Sequence, residues 1–125
     1  MGLTYQLADD VIRFVTVGDV GFADGQAVLG AAFAAAATAP VPGGWHLLFD
    51  IRSSAENRSA AELQAIADLF ARARPSLSGR CAIVAADPLR FGVARMFGAF
   101  VESLEFTATV VTRPSEAETW LRAAA

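Results

Sequence analysis

The sequence contains no lysine and only one cysteine, one histidine and one tyrosine. All ten basic residues are arginines, spread from Arg13 to Arg122 without a basic run, and the net charge is −3. Nucleic-acid binding needs positive charge that is clustered on one surface. The sequence therefore argues against nucleic acid as a partner.

The scarcity of cysteine and histidine limits the kinds of site that the chain can build. Cys81 has no second cysteine for an internal disulfide, and with His46 alone it cannot form a His/Cys metal cluster. Cys81 lies in an apolar run over residues 81–85, so we expect a buried, unreactive side chain. We predict no metal and no cofactor, and the absence of disulfides favours a cytoplasmic protein.

Long hydrophobic runs are also absent. The longest apolar stretch, residues 27–39, is mostly alanine and is shorter than the roughly 20 residues that a membrane span needs. Apolar residues nevertheless make up 54% of the 125 residues, which is enough for a folded core. With no internal repeat or linker in the pattern, we expect residues 1–125 to form a single domain.

The hydrophobic pattern predicts strands and helices in the order ββαβαβαβα. Strands at residues 3–7 and 11–17 form a hairpin about Asp9 and Asp10. The chain then alternates through helix 22–37, strand 45–51, helix 59–74, strand 80–86, helix 88 to about 104, strand 106–112 and helix 115–122, with loops at 52–58 and 75–79. This alternation predicts an α/β fold: a five-stranded mixed sheet, mostly parallel, with four helices and right-handed crossovers.

We expect the large apolar side chains to fill one core. Its predicted members are Phe49, Leu63, Phe70, Val84, Met96, Phe97 and Trp120. On the third helix, the predicted inward positions are Leu89, Val93, Met96, Phe97, Phe100 and Leu104.

No catalytic motif is present, and we predict no catalytic residue. The chain has no GxSxG elbow, no P-loop and no GxGxxG after a strand. His46 lies near the start of the third strand, where a structural role is favoured over that of a catalytic base.

Polar residues instead follow the strands at their predicted carboxyl ends, where open α/β sheets bind ligands. The candidate interaction or ligand surface consists of Asp50, Arg52, Ser53, Ser54, Ser59, Asp87, Arg90, Phe91 and Arg95. Either its carboxylates cap helices and pair with arginines, which we favour, or the group forms a polar site.

Two parts of this surface each allow two interpretations. Ser59 and Glu62 match a capping box. A phosphate on Ser59 would also be stabilised at a helix start, although capping alone is favoured. Arg90 and Arg95 flank Phe91, which we expect to be exposed, and the three could contact an anionic partner or form a solvated face.

The element order, with a closing Ala-x-x-Trp-Leu helix, resembles the SpoIIAA-like branch of the STAS fold, named for sulfate transporters and anti-sigma-factor antagonists. The resemblance is closest to short, uncharacterised bacterial SpoIIAA-like proteins. It rests on residues 47–52 (LLFDIR), 80–84 (RCAIV), 87–97 (DPLRFGVARMF) and 115–121 (SEAETWL). This resemblance implies the fold more than a function.

In the antagonists, a kinase phosphorylates a serine of an Asp-Ser-Ser-Gly-like motif at the start of the second helix. This sequence has Arg58-Ser59-Ala60-Ala61 at about that position, without the Asp and the Gly. The resemblance therefore implies an interaction module and does not carry the phosphorylation switch over to Ser59.

Three functions remain open. The sequence favours a non-catalytic module that binds a protein partner. A regulatory role for this module is one alternative, and a homodimer is another. The second is a binder of a small apolar or lipid-like molecule in a pocket between helix and sheet, and the third is an enzyme using Asp50, Arg52 and Asp87. An exposed apolar patch would favour the first, a cavity of several hundred Å3 the second, and carboxylates of raised pKa the third.

Overall fold

The computed structural model describes residues 2–55 and 58–123, and its elements follow the predicted order. They are β1 (Gly2–Ala8), β2 (Val11–Gly18), α1 (Phe22–Thr38), β3 (Trp45–Ser54), α2 (Ala60–Ala73), a 3-10 turn (Arg74–Ser76), β4 (Leu77–Val84), α3 (Pro88–Glu102), β5 (Thr107–Val111) and α4 (Pro114–Arg122). The predicted five-stranded mixed sheet with four helices is confirmed.

The five strands lie in the sheet in the same order as in the chain. β1 is antiparallel to β2, and the three following pairs are parallel. Each parallel connection therefore steps in the same direction, and right-handed crossovers place α1, α2 and α3 on one face. α4 follows the last strand and packs on the other face against β3, β4 and β5.

The hairpin that starts the chain has a tight two-residue turn. Asp9 and Asp10 have φ angles of +54° and +65°, as a type I′ turn requires at both central positions. Aspartate tolerates this left-handed region better than most residues. The turn sets a regular register in which Ala8 pairs with Val11 and Gly2 with Val17.

The larger part of the core lies between the sheet and α1–α3. It contains a cluster of aromatic rings with centroids 4.6–6.2 Å apart, formed by Phe14, Phe33, Phe49, Phe70 and Phe97. Stacked and edge-to-face ring pairs add to the stabilisation from burial alone. The cluster therefore joins β2 and β3 to all three helices of this face.

A second, smaller core lies under α4, because successive strand residues point to opposite faces. Leu48, Val84 and Leu121 belong to it, with Trp120 half-buried at its margin. The expectation of one core was therefore wrong for Val84 and Trp120. An ion pair also ties α4 to the sheet, since Arg13 donates to both carboxylate oxygens of Glu118 at 2.7 and 2.8 Å.

The prediction of which α3 side chains point toward the core was partly wrong. Phe97 is buried as expected, but Met96 and Leu89 are 47% and 73% exposed. The inward face of the helix instead carries Ala94 and Val101 beside Phe97. Apolar residues occur all round α3, so the hydrophobic period alone does not fix which of them point inward.

Two strands extend into segments that were predicted as loops. β4 begins at Leu77 and β3 continues to Ser54, although residues 52–54 are polar. Main-chain pairing with β2 holds this last part of β3 in the sheet. Residues 56 and 57 of the predicted loop 52–58 lie outside the described residues.

Replacing a ring of the aromatic cluster tests this packing. Phe97→Ala should lower the free energy of unfolding by about 3–5 kcal/mol, because it removes a buried ring and leaves a cavity. Met96→Ala, one position earlier and exposed, should change it by less than about 0.5 kcal/mol. Urea unfolding followed by circular dichroism measures both, and a loss below about 1 kcal/mol for Phe97→Ala would contradict the phase of α3.

Candidate ligand-binding site

A cavity of about 370 Å3 lies between the sheet and the helices at the carboxyl ends of the parallel strands. The first turns of α1, α2 and α3 surround it, because a helix that follows a parallel strand starts at this end. Its apolar lining comes from Leu3, Phe22, Leu29, Phe49, Ile51, Leu63, Ile66, Ile83, Leu89, Val93, Ala94 and Phe97. Its polar side chains are Thr16, Gln26, Ser54, Arg58 and Arg90.

A β-bulge in β3 brings Ser54 to the cavity. Val15 pairs with Asp50 and Val17 with Ser53, so two residues of β3 stand opposite Thr16 alone. Such an insertion reverses the alternation of side chains beyond it. Ser54 therefore lines the cavity together with Ile51, although an uninterrupted strand would turn the two to opposite faces.

Arg58 borders the cavity between the starts of α1 and α2. Its Nη2 donates to the Val20 carbonyl oxygen at 2.6 Å, and its guanidinium lies 5.6 Å from the centre of the Phe22 ring. Gly25 lies close by, where a Cβ atom would be 3.5 Å from Nη2. These contacts fix a positive charge against the first turns of α1, and the sequence analysis did not single Arg58 out as a site residue.

Arg90 supplies the second guanidinium at the cavity. Its Nε donates to the Ser54 carbonyl oxygen at 2.5 Å and its Nη1 to Asp87 Oδ2 at 2.6 Å. Asp87 Oδ1 accepts from the Arg90 backbone N–H at 3.0 Å and so caps α3. This backbone bond and the Arg90 side chain hold the pKa of Asp87 below its ordinary value.

Arg90 Nη2 donates to no described residue. Arg90 lines the cavity, and its side chain is about a quarter exposed. The two other guanidinium nitrogens are held in place by protein oxygens, which fixes the orientation of the guanidinium beside the cavity.

Asp50 and Arg52 lie on the other face of the sheet. Asp50 pairs with Val15 and shares its face with Leu48, which belongs to the core under α4. Arg52 donates to both carboxylate oxygens of Asp50, at 2.9 and 2.7 Å. Burial acts to raise the pKa of Asp50, but the bonds from Arg52 outweigh it and the pKa is lowered.

The predicted surface is thus divided by the sheet. Ser54 and Arg90 reach the cavity, and Asp87 supports Arg90. Ser53 is exposed at the end of β3, and Arg95 is exposed on the outer side of α3. Phe91 was expected to be exposed, but it is half-buried against the main core, so it is not a free apolar anchor.

Ser59 acts as the helix cap that its motif predicts. Its hydroxyl oxygen accepts from the Glu62 N–H at 3.1 Å, and Glu62 Oε1 accepts from the Ser59 N–H at 2.9 Å. Both halves of the capping box are therefore present.

The only histidine and the only cysteine of the chain lie away from the cavity. His46 Nδ1 is 2.6 Å from Ser78 Oγ, and burial followed by the charge of Arg80 lowers the pKa of His46. Cys81 is fully buried, which raises the pKa of its thiol to about 12.

Within the described ranges no helix is long and apolar enough to cross a membrane, and no group of three His, Cys, Asp or Glu side chains is placed to hold a metal ion.

This arrangement of strands and helices is the SpoIIAA-like fold. The chain superposes on a crystal structure of an uncharacterised protein of the DUF3478 family with that fold, from Shewanella loihica PV-4, with a TM-score of 0.66. It superposes on an anti-sigma factor antagonist from Mycobacterium paratuberculosis with a TM-score of 0.60.

In both superpositions the sequence identity is 17%, and the match covers 96% of this chain and 92% of the other. Likeness at this level of identity shows the fold alone. No protein-family model matches the sequence, and no curated protein does so either.

The capping role of Ser59 is open to a direct test. Ser59→Ala should lower the free energy of unfolding by about 1 kcal/mol, and Ser59→Asp should be nearly neutral because aspartate also caps. Ser53→Ala is the control, since Ser53 is an exposed serine that caps no helix. Thermal unfolding measures all three, and an unchanged Ser59→Ala would contradict capping. A stable Ser59→Asp that no longer binds a partner would instead support a phosphorylation switch.

Proposed function

We propose that the chain is a non-catalytic binding module that holds a small amphipathic anion in the cavity at the carboxyl ends of β2, β3 and β4. One observation carries this proposal: a largely apolar cavity of about 370 Å3 is bordered by the guanidinium of Arg90, whose Nη2 donates to no described residue. Ligand pockets commonly combine an apolar lining with a few placed polar groups.

The charges around the cavity support an anionic head on the ligand. Arg90 borders it, and the partial positive charges of three helix starts point toward it. Both carboxylates that sequence analysis offered for catalysis are paired with arginines, and the pKa of each is lowered. A general acid needs the opposite shift, so this geometry favours binding over acid catalysis at Asp50 and Asp87.

The volume of the cavity sets the size of the ligand. At about 30 Å3 for each water-sized group, 370 Å3 holds about twelve non-hydrogen atoms. A saturated carboxylate with ten carbons has that number. We therefore expect decanoate to fill the cavity, with its carboxylate accepting a hydrogen bond from Arg90 Nη2.

Titration calorimetry with a series of saturated carboxylates tests this assignment. From hexanoate to decanoate, each added methylene should raise the affinity about fourfold, because burying one contributes about 0.8 kcal/mol. The gain for each methylene should fall beyond about ten carbons, where the added groups extend from the cavity toward solvent. Decanol should bind more weakly than decanoate, because it has no charge to pair with Arg90.

A pair of α3 variants locates the binding site. Val93→Phe places a larger side chain in the cavity lining and should weaken decanoate binding about tenfold or more. Ala99→Phe adds the same phenyl ring at an exposed position of the same helix and should leave binding unchanged. Affinity that is independent of chain length, or equal in the two variants, would contradict the proposal.

A second candidate function, binding of a protein partner, is favoured by the outer face of α3. Leu89 and Met96 are exposed there, with Gly92 between them on the same side, and Arg95 adds a positive charge. Exposed apolar side chains at this spacing suit a partner's apolar helix with acidic flanks. The structural match to an anti-sigma factor antagonist supports a protein partner without identifying it.

Affinity capture from a lysate of the native host, with the wild type and the variants as bait, tests this second function. Arg95→Glu combined with Met96→Asp should abolish capture while lowering the melting temperature by no more than a few degrees, because both positions are exposed. Val17→Asp is the control, since Val17 is as exposed as Met96 but lies on the opposite sheet face. Capture of the same proteins by the wild type and all variants would contradict partner binding at the outer face of α3.

A further inference from the structure

The edge strand β1 has none of the features that keep sheet edges from pairing. Its sequence, GLTYQLA, contains no charged residue and no proline. Its register with β2 is regular from Gly2 to Ala8, without a bulge. Natural proteins usually protect an exposed edge by a charge, a proline, a bulge or a very short strand. A regular seven-residue edge without them is able to pair with another strand.

The hairpin geometry shows which backbone groups of β1 face outward. In a two-residue type I′ hairpin, the residues that flank the turn, Ala8 and Val11, exchange hydrogen bonds. Bonded and non-bonded pairs then alternate along the strands. Leu3, Tyr5 and Leu7 are therefore the residues whose N–H and C=O groups point away from β2.

The helix beside this edge is also nearly free of charge. α1 packs over β1, and its only charged residue is Asp24, in the first turn. Its solvent-facing side carries exposed alanines at helical spacing, Ala23, Ala27, Ala31 and Ala34. Edge strand and edge helix together form one flank, which consists of β1 and the outer side of α1 and has Asp24 as its one charged side chain.

We propose that this flank joins two copies of the chain in a symmetric dimer, with β1 antiparallel to β1 of the second copy and α1 packed against its α1. A two-fold axis at Tyr5 pairs Tyr5 with its own symmetry mate and Leu3 with Leu7 of the other copy. All outward donors and acceptors of the three residues are then satisfied by six hydrogen bonds. The result is a continuous ten-stranded sheet.

Charge supports a second copy as the occupant of this flank. Each chain carries a net charge of −3, which opposes association of two copies, and contact over this flank adds little to that repulsion because Asp24 is the one charged residue of β1 and α1. An antiparallel arrangement of the two α1 helices also keeps the two Asp24 side chains at opposite ends. The other sheet edge, β5, has five residues, and its neighbouring helix α3 carries exposed Arg95 and Glu102.

The size of the flank approaches that of a small dimer interface. Seven strand residues and seventeen helix residues each span about 25 Å, and one strand layer plus one helix layer is about 20 Å deep. The projected area is therefore about 500 Å2 per copy, and the corrugated accessible surface is larger. Stable interfaces start at about 600 Å2 per partner.

Light scattering after size exclusion gives the first test. The protein should elute with twice the chain mass of 13.1 kDa at micromolar concentration. Ala31→Arg places two like charges in the helix contact and should raise the dimer dissociation constant about tenfold or more. Ala99→Arg, the same change on the exposed side of α3, should leave the dimer intact. A monomer in the wild type, or equal behaviour of the two variants, would overturn the proposal.

Tyr5→Pro tests the strand pairing itself. The Tyr5 N–H points away from β2, and an edge strand tolerates proline at such a position, so the hairpin should survive while pairing between copies is lost. If circular dichroism shows that this variant is unfolded, Ala31→Arg alone decides the oligomeric state.

Amide hydrogen exchange gives a readout that does not depend on folding of the proline variant. In the dimer, the amides of Leu3, Tyr5 and Leu7 should exchange slowly, like those of Thr4 and Gln6. In Ala31→Arg, the first three should exchange rapidly while Thr4 and Gln6 stay protected. Rapid exchange at Tyr5 in the wild type at high concentration would overturn the pairing.

Discussion

Each parallel strand of this protein is followed by a right-handed crossover to the next position in the same direction across the sheet. This constraint puts α1, α2 and α3 side by side on one face and leaves the other face to α4. It also brings three helix starts to the edge of the sheet where the parallel strands end. The aromatic cluster fills the middle of the larger layer, and the cavity opens where the helices begin.

The two sheet faces differ in how their polar groups are used. Under α4, Arg13 pairs with Glu118 and Arg52 with Asp50, so charges there neutralise one another. At the cavity, Arg90 is held by Asp87 and Ser54, and its third guanidinium nitrogen donates to no described residue. Neighbouring residues of β3 thus contribute to opposite surfaces, and the bulge at residues 51–52 decides which side Ser54 joins.

Features that depend on local spacing were predictable from the sequence. The capping box at Ser59 and the Asp87 cap before Pro88 each involve residues within one helical turn, and the alternation of strands and helices sets the fold. The phase of α3 was not predictable in the same way, because Met96 and Phe97 are both large and apolar and only packing against the sheet separates them. The bulge was not predictable either, since it depends on pairing with Thr16 of a distant strand.

Which residues meet at the candidate site was even less predictable from the sequence. Sequence reasoning placed Asp50, Arg52 and Arg90 in one surface because all lie near the predicted carboxyl ends of strands, yet the alternation of side chains sends Asp50 to the far face. It missed Arg58, whose contacts with Val20 and Phe22 span about forty positions in the chain. A charged residue in a predicted loop gives no sign of the helix start against which it packs. The cavity is therefore a property of three crossovers acting together, and only its strand-end location follows from the fold class.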